Sequence, residues 1–172
     1  MKKLALIIIM LGTLAAPHAF AADRSGETKA ERNLIKEGNS LYGEGKYHEA
    51  LERYERALVL NAESTVALYN KAVTLVQLAG DDNKGTENDP RVAAAQIFQD
   101  IARADNSLDL TAKSLYNLGN MAFNDEKYDQ AIEMYKGSLR KIPENRKARQ
   151  NLLLAMQKKQ EQEQNQDKQD QQ

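Results

Sequence analysis

Residues 34–58 read LIKEGNSLYGEGKYHEALERYERAL, and residues 115–139 read LYNLGNMAFNDEKYDQAIEMYKGSL. Leu34, Gly38, Asn39, Lys46, Tyr47, Ala50, Glu52, Tyr54 and Leu58 return as Leu115, Gly119, Asn120, Lys127, Tyr128, Ala131, Glu133, Tyr135 and Leu139, each pair 81 positions apart (115 − 34). Chance does not produce that agreement, so the two stretches are copies of one structural unit. Within each copy, small and apolar residues three and four positions apart mark two successive amphipathic helices.

A third copy lies between them. Leu68, Ala72 and Leu75 stand 34 positions after Leu34, Gly38 and Leu41, which leaves 47 positions to the last copy, one period of 34 with an insertion of 13. A period of 34 is that of the tetratricopeptide repeat (TPR), a helix pair. The unit resembles that family in its motif residues as well. Leu118, Gly119, Ala131, Tyr135 and Pro143 stand where the family places its leucine, glycine, alanine, aromatic and proline, with Leu34, Leu68 or Leu115 in place of its tryptophan. The resemblance implies an all-α fold, a solenoid of three helix pairs with a C-terminal capping helix.

The residues give physical reasons for the same architecture. Gly38, Ala72 and Gly119 lie inside helical patterns, where glycine costs about 1 kcal/mol relative to alanine unless a neighbour must come close. Ala50 and Ala131 are the complementary small residues of the second helices, and Tyr54 and Tyr135, four positions on, share their face. Thr28 with Glu31 forms a capping-box pattern, Ser64 can cap the second repeat, and Asp89-Pro90 reads as an N-cap with the first helical position. Pro143 closes the sixth helix. These signals predict helices near 29–43, 47–61, 65–79, 90–104, 111–124 and 128–141, with a seventh from Arg146 to beyond Lys158. Leu152, Leu153 and Met156 are expected to supply its apolar contacts, while Lys147, Arg149, Gln150 and Lys158 face out as a solvating cap.

The domain organisation follows. Residues 1–21 have the layout of a secretory signal peptide: Lys2 and Lys3, an apolar run from Leu4 to Ala16, and the small-residue sites Ala19 and Ala21, with cleavage expected after Ala21. That run is shorter than the ~20 residues of a membrane-spanning helix. A short linker occupies 22–28 and the repeat domain 29–156, with repeats at about 31–64, 65–111 and 112–145 and the capping helix from 146. The segment near 80–90, rich in Asp, Asn and Gly, reads as a surface loop. Residues 157–172 form a Gln-rich charged tail with nothing to bury, expected to fray or be disordered.

There is no cysteine, which excludes a lipid-attachment thiol, disulfides and thiolate metal sites. Without Lys2 and Lys3, 22 Lys and Arg oppose 25 Asp and Glu, a net charge of −3 that gives no electrostatic case for nucleic acid or anionic lipid. The expected location is the periplasm.

Catalytic and cofactor chemistry is not expected. His48 is the single histidine after the signal segment and reads as a solvated helix-start residue, with no second histidine for a zinc site. Ser40, Ser64, Ser107, Ser114 and Ser138 have no histidine placed to activate them. Asp81, Asp82, Glu87 and Asp89 suggest calcium, but an EF-hand beginning at Asp81 would put Thr86 at the required glycine and Val92 at the bidentate glutamate. A solvated acidic loop is the preferred reading.

The first helices carry a second stripe beside the core: Ile35, Asn39 and Tyr42, then Tyr69, Val73 and Val76, then Tyr116, Asn120 and Phe123. In the TPR fold these helices line the concave surface, so the resemblance makes the stripe partner-facing. Tyrosine offers apolar area with a polar tip, and asparagine supplies donors and acceptors. The candidate groove residues are Asn39, Tyr42, Tyr69, Asn70, Val76, Lys113, Tyr116, Asn117, Asn120 and Phe123. The competing reading is that part of the stripe packs against the neighbouring repeat, Ile35 and Val73 above all. Tyr116 and Asn120 are expected beside, rather than within, the stripe of Leu115, Leu118, Gly119 and Ala122. TPR domains that clamp a C-terminal carboxylate use lysines, asparagines and an arginine on these helices. Asn39, Asn70 and Lys113 fit that pattern, but Ile35 replaces a lysine and Asn117 the arginine, so an extended or helical segment is the better fit.

A narrower resemblance rests on the order of motifs. Gly38-Asn39-Ser40-Leu41-Tyr42, Gly45-Lys46-Tyr47, Ala67-Leu68-Tyr69-Asn70, Tyr116-Asn117-Leu118-Gly119-Asn120 and Asn151-Leu152 ahead of the Gln-rich end resemble the TPR protein of the bacterial aerotolerance (Bat) operon, BatC type. That resemblance implies an envelope protein working beside membrane-anchored von Willebrand factor A-domain proteins in tolerance of oxygen or oxidative stress. The alternative function is a structural envelope factor that binds cell-wall or outer-membrane assembly machinery.

Overall fold

The computed structural model describes residues 28–80 and 84–170, the last few of these as backbone only. The expected signal segment lies outside the described residues, as do Asp81 and Asp82 of the acidic loop. Seven helices follow one another among the described residues: α1 (Lys29–Gly43), α2 (Tyr47–Leu60), α3 (Thr65–Leu78), α4 (Pro90–Ala104), α5 (Leu108–Asn124), α6 (Tyr128–Lys141) and α7 (Arg146–Asp170). Each packs on the next, and α1, α3, α5 and α7 also touch in sequence to form one face. This is the expected all-α solenoid of three helix pairs and a seventh helix.

The helix starts follow the sequence signals. The hydroxyl of Thr28 accepts from the Glu31 N–H at 3.1 Å, and that of Ser64 from the Ala67 N–H at 3.4 Å. Asp89 caps α4 by accepting from the Arg91 N–H at 2.9 Å, with Pro90 opening the helix. One boundary differs. α5 begins at Leu108, three residues before the expected Thr111, because Ser107 caps it by accepting from the Leu110 N–H at 3.4 Å. The turns before α2 and α6 are copies: the N–H groups of Lys46 and Lys127 each donate to the carbonyls of Leu41 and Ala122 at 2.9 Å. Such a turn needs one left-handed residue, supplied by Gly45 (φ 77°) in the first copy and Glu126 (φ 59°) in the last.

The core is a chain of small clusters, as nearest-neighbour stacking requires. Ile35, Ala57 and Ala67 join the first pair to α3; Ala72, Ala94 and Phe98 fill the second; Ala131, Ile132, Tyr135 and Ala155 join the third pair to α7. Ala94 and Phe98 are thus the middle-repeat counterparts of Ala50 with Tyr54 and of Ala131 with Tyr135. The close approach expected at the glycines is to the tyrosine rings. A Cβ at Gly38 would lie 2.6 Å from Cε1 of Tyr54, and one at Gly119 would lie 2.6 Å from Cε1 of Tyr135. Glu31 is fully buried, and its carboxylate accepts from the Asn61 amide at 3.1 and 3.2 Å, fastening the start of α1 to the end of α2.

α7 runs beyond Lys158, as expected, and continues as helix to Asp170. Two expectations about its side chains are corrected. Its buried residues are Ala148 and Ala155 with Leu152 half-buried, while Leu153 and Met156 are 63% and 50% exposed. The alanines are seven positions apart, two helical turns, and their small side chains let α7 lie close on α6. Lys158, expected to face out, is half-buried and pairs with Glu161 at 2.7 Å.

Candidate functional site: the face of the first helices

The stripe residues share the face built from α1, α3, α5 and α7, but much of the face is fastened to itself. The Asn70 amide donates to Oδ1 of Asn39 at 2.9 Å, the Asn117 amide to the Tyr69 hydroxyl at 3.1 Å, and the Asn151 amide to Oδ1 of Asn120 at 2.9 Å and the Tyr116 hydroxyl at 3.2 Å. Asn70, Asn117 and Asn151 occupy one repeat position, so each reaches back to the preceding first helix. The result is an amide ladder across the repeats.

The same asparagines hold the core tyrosines. The Tyr54 hydroxyl donates to Oδ1 of Asn39 at 2.8 Å and the Tyr135 hydroxyl to Oδ1 of Asn120 at 2.9 Å. Burial raises the pKa of both phenols to about 12, so both remain neutral donors. In the middle repeat Phe98 has no hydroxyl and Val73 stands in the asparagine position, which makes an apolar version of the same joint. Burial also raises the pKa of Tyr42 and Tyr69.

Tyr116 and Asn120 are therefore not merely beside the core. Tyr116 packs on the third cluster with its ring 5.9 Å from that of Tyr135, and Asn120 anchors the Tyr135 hydroxyl. Expected as recognition residues, both also carry structure. Ile35 is 7% exposed and belongs to the core, as anticipated. Val76 packs on the middle cluster and lines a cleft beside Lys84, Asp89 and Arg91 rather than the ladder. Lys113 is exposed and pairs with Asp109 at 2.7 Å.

Two recesses open on this face. Asn39, Tyr42, Tyr54, Asn70 and Val73 line the first; Asn120, Phe123, Asn124, Tyr135, Asn151 and Leu154 line the second. Asn39 with Tyr42 and Asn120 with Phe123 are repeat equivalents, so the recesses are one feature made twice. Each has an edge-on aromatic pair at its rim, Tyr42 with Tyr47 at 5.2 Å and Phe123 with Tyr128 at 5.5 Å between ring centres. The sequence reading missed Asn151 and Leu154 as lining residues. Asn151 was recoverable, because it lies 34 positions after Asn117.

The remaining candidates are elsewhere. His48 is exposed at the start of α2. Asp89 is occupied as a cap: its carboxylate also accepts from the Gly85 N–H at 3.0 Å and from Nε of Arg91 at 2.9 Å. The Arg91 bond is the main cause that lowers its pKa to about 2. Arg91 in turn donates to the Gly80 carbonyl at 3.2 Å, tying both ends of the insertion together. Among the described residues no three His, Asp or Glu side chains converge to hold a metal, and no helix is long and apolar enough to cross a membrane.

Comparison with known proteins agrees with this geometry. A sequence model of the tetratricopeptide repeat matches residues 35–81 and 84–146. The Hsp70-Hsp90 organising protein of Plasmodium falciparum (isolate 3D7) is 31% identical over 132 residues, 73% of this chain but only 21% of that protein. The photosystem I assembly protein Ycf3 of Synechococcus elongatus is 30% identical over 125 residues, 69% of this chain and 70% of that one. Among solved structures, the first TPR of Spaghetti (RPAP3) bound to the HSP90 peptide SRMEEVD superposes with a TM-score of 0.61 at 22% identity, covering 76% of this chain and 94% of that chain.

Proposed function

The chain belongs to the tetratricopeptide-repeat family, and from that premise we propose that it is a non-enzymatic interaction module that holds a partner protein's segment along the face of α1, α3, α5 and α7. The observation that carries this reading is the pair of equivalent recesses on a face already locked by its own amide ladder. A preformed surface loses little side-chain freedom when it binds, which favours affinity. The segment it suits is extended or helical, with apolar or amide side chains entering the recesses. A carboxylate clamp does not suit this face, because Ile35 is buried and the Asn117 amide is engaged with Tyr69.

The finer reading rests on the N-terminal sequence and on the order of motifs. The protein is exported to the periplasm and docks membrane-anchored von Willebrand factor A-domain proteins in an aerotolerance or oxidative-stress system of the Bat type. Photocrosslinking residues placed at Tyr42 and Phe123, with Val59 as control, test it in cells. Crosslinks from the two groove positions to a membrane-anchored A-domain protein support the proposal. Crosslinks from the same positions to cell-wall or outer-membrane assembly proteins would replace it with the structural role, and crosslinks from Val59 alone would move the binding surface off this face.

A further inference from the structure

α7 repeats α5 one period later. Asn151 and Leu152 hold the positions of Asn117 and Leu118, and Leu153 and Met156 those of Gly119 and Ala122. In α5 those last two positions face the third cluster: Gly119 lies under the Tyr135 ring and Ala122 packs on the cluster of Ala131, Ile132, Tyr135 and Ala155. Among the described residues no helix covers the matching face of α7, which leaves Leu153 and Met156 63% and 50% exposed. A repeat array is expected to finish on a polar face. Another helix pair of the usual kind is excluded as the cover, because Leu153 fills the place where its tyrosine ring would press.

Length and charge indicate what the cover is. α7 has 25 residues where the other helices have 14 to 17, so it is about 38 Å long. Its side chains from Gln162 to Gln166 are all exposed. Internal pairs support this helix as far as Glu163, Lys158 with Glu161 at 2.7 Å and Lys159 with Glu163 at 3.6 Å. Spacings of three and four set Arg146, Arg149, Leu153, Met156, Gln160 and Glu163 in one stripe, basic at its start and acidic at its outer end.

We propose that a second copy of this chain covers the face, its α7 lying antiparallel against the first where a repeat's second helix would lie. Centred near Met156, the pairing sets Leu153 beside the partner's Gln160 and Arg149 beside the partner's Glu163, and the two-fold symmetry makes each contact twice. A parallel pairing would set arginine against arginine and glutamate against glutamate, so the charges select the antiparallel one. Asn39, Tyr42, Asn120 and Phe123 stay outside the pairing, and the dimer presents two grooves.

Sedimentation equilibrium of the full-length protein tests this. The wild type should have twice the chain mass, and Leu153→Glu with Met156→Glu should have the single-chain mass with an unchanged circular-dichroism spectrum. Arg149 also donates to the Pro143 carbonyl at 2.7 Å, so its loss alone is not diagnostic and rescue is. Arg149→Glu should weaken the dimer about tenfold, and adding Glu163→Arg should restore it. A single-chain mass for the wild type, whether the protein is inert or bound to lipid vesicles, overturns the proposal. So does a dimer that the Leu153 and Met156 substitutions leave intact, or a charge reversal that is not rescued.

Discussion

The hydroxyl of Tyr135 donates to Oδ1 of Asn120, and that same oxygen accepts from the amide of Asn151 on the next first helix. One asparagine thereby joins a second helix to its own first helix and to the following one, so the binding face and the core share their bonds. Tyr135→Phe should cost about 1 kcal/mol, the net value of a partly buried hydrogen bond, measurable by urea denaturation. Asn120→Leu removes the acceptor from both donors and should cost more than Tyr135→Phe. Equal losses would mean that the Asn151 bond contributes nothing.

The glycine beneath the ring is a steric requirement. Gly119→Leu should destabilise by about 1 to 3 kcal/mol, because even its Cβ meets the Tyr135 ring. Combining it with Tyr135→Ala should cost less than the sum of the two single changes, and additive losses in thermal melts would count against the contact.

Glu126 takes a left-handed conformation at φ 59° where the first copy has Gly45. Glu126→Gly should therefore stabilise by roughly 0.5 to 1 kcal/mol, raising the melting temperature. Gly45→Glu should lower it by a comparable amount.

The insertion should respond to acid. Asp89 has a folded pKa of about 2, held down first by the Arg91 bond, below the usual carboxylate value. A depressed folded pKa contributes stability that is complete above the unfolded value of about 3.9 and is lost as pH falls toward the folded value. Comparing wild type with Asp89→Asn, the stability difference should be constant above about pH 5 and shrink toward pH 2. A difference that grows on acidification would contradict this ion pairing.

The fold was legible because Gly38, Ala50 and Tyr54 recur at Gly119, Ala131 and Tyr135, and these positions are buried in both copies. The face was legible from its spacing. Its wiring was not, because a period locates Asn39 and Asn120 without saying that their side-chain oxygens turn toward Tyr54 and Tyr135. The spacing sets Tyr116 beside the core stripe and, for the same reason, does not show its packing on Tyr135. In α7, Leu152, Leu153 and Met156 drew attention by hydrophobicity, while close helix contact favoured Ala148 and Ala155. The early start of α5 was missed because Ser107 precedes Leu108, an exposed residue outside the apolar stripe.

The central claim, that a partner lies in the two recesses, is tested most directly by calorimetry with the partner identified by crosslinking. Tyr42→Lys with Leu154→Lys would place a long charged side chain in each recess while leaving every ladder bond in place. Binding should weaken by more than about tenfold, or 1.4 kcal/mol, with the helical circular-dichroism spectrum unchanged and Val59→Lys on the outer surface without effect. Full-affinity binding by the folded double variant would contradict the account.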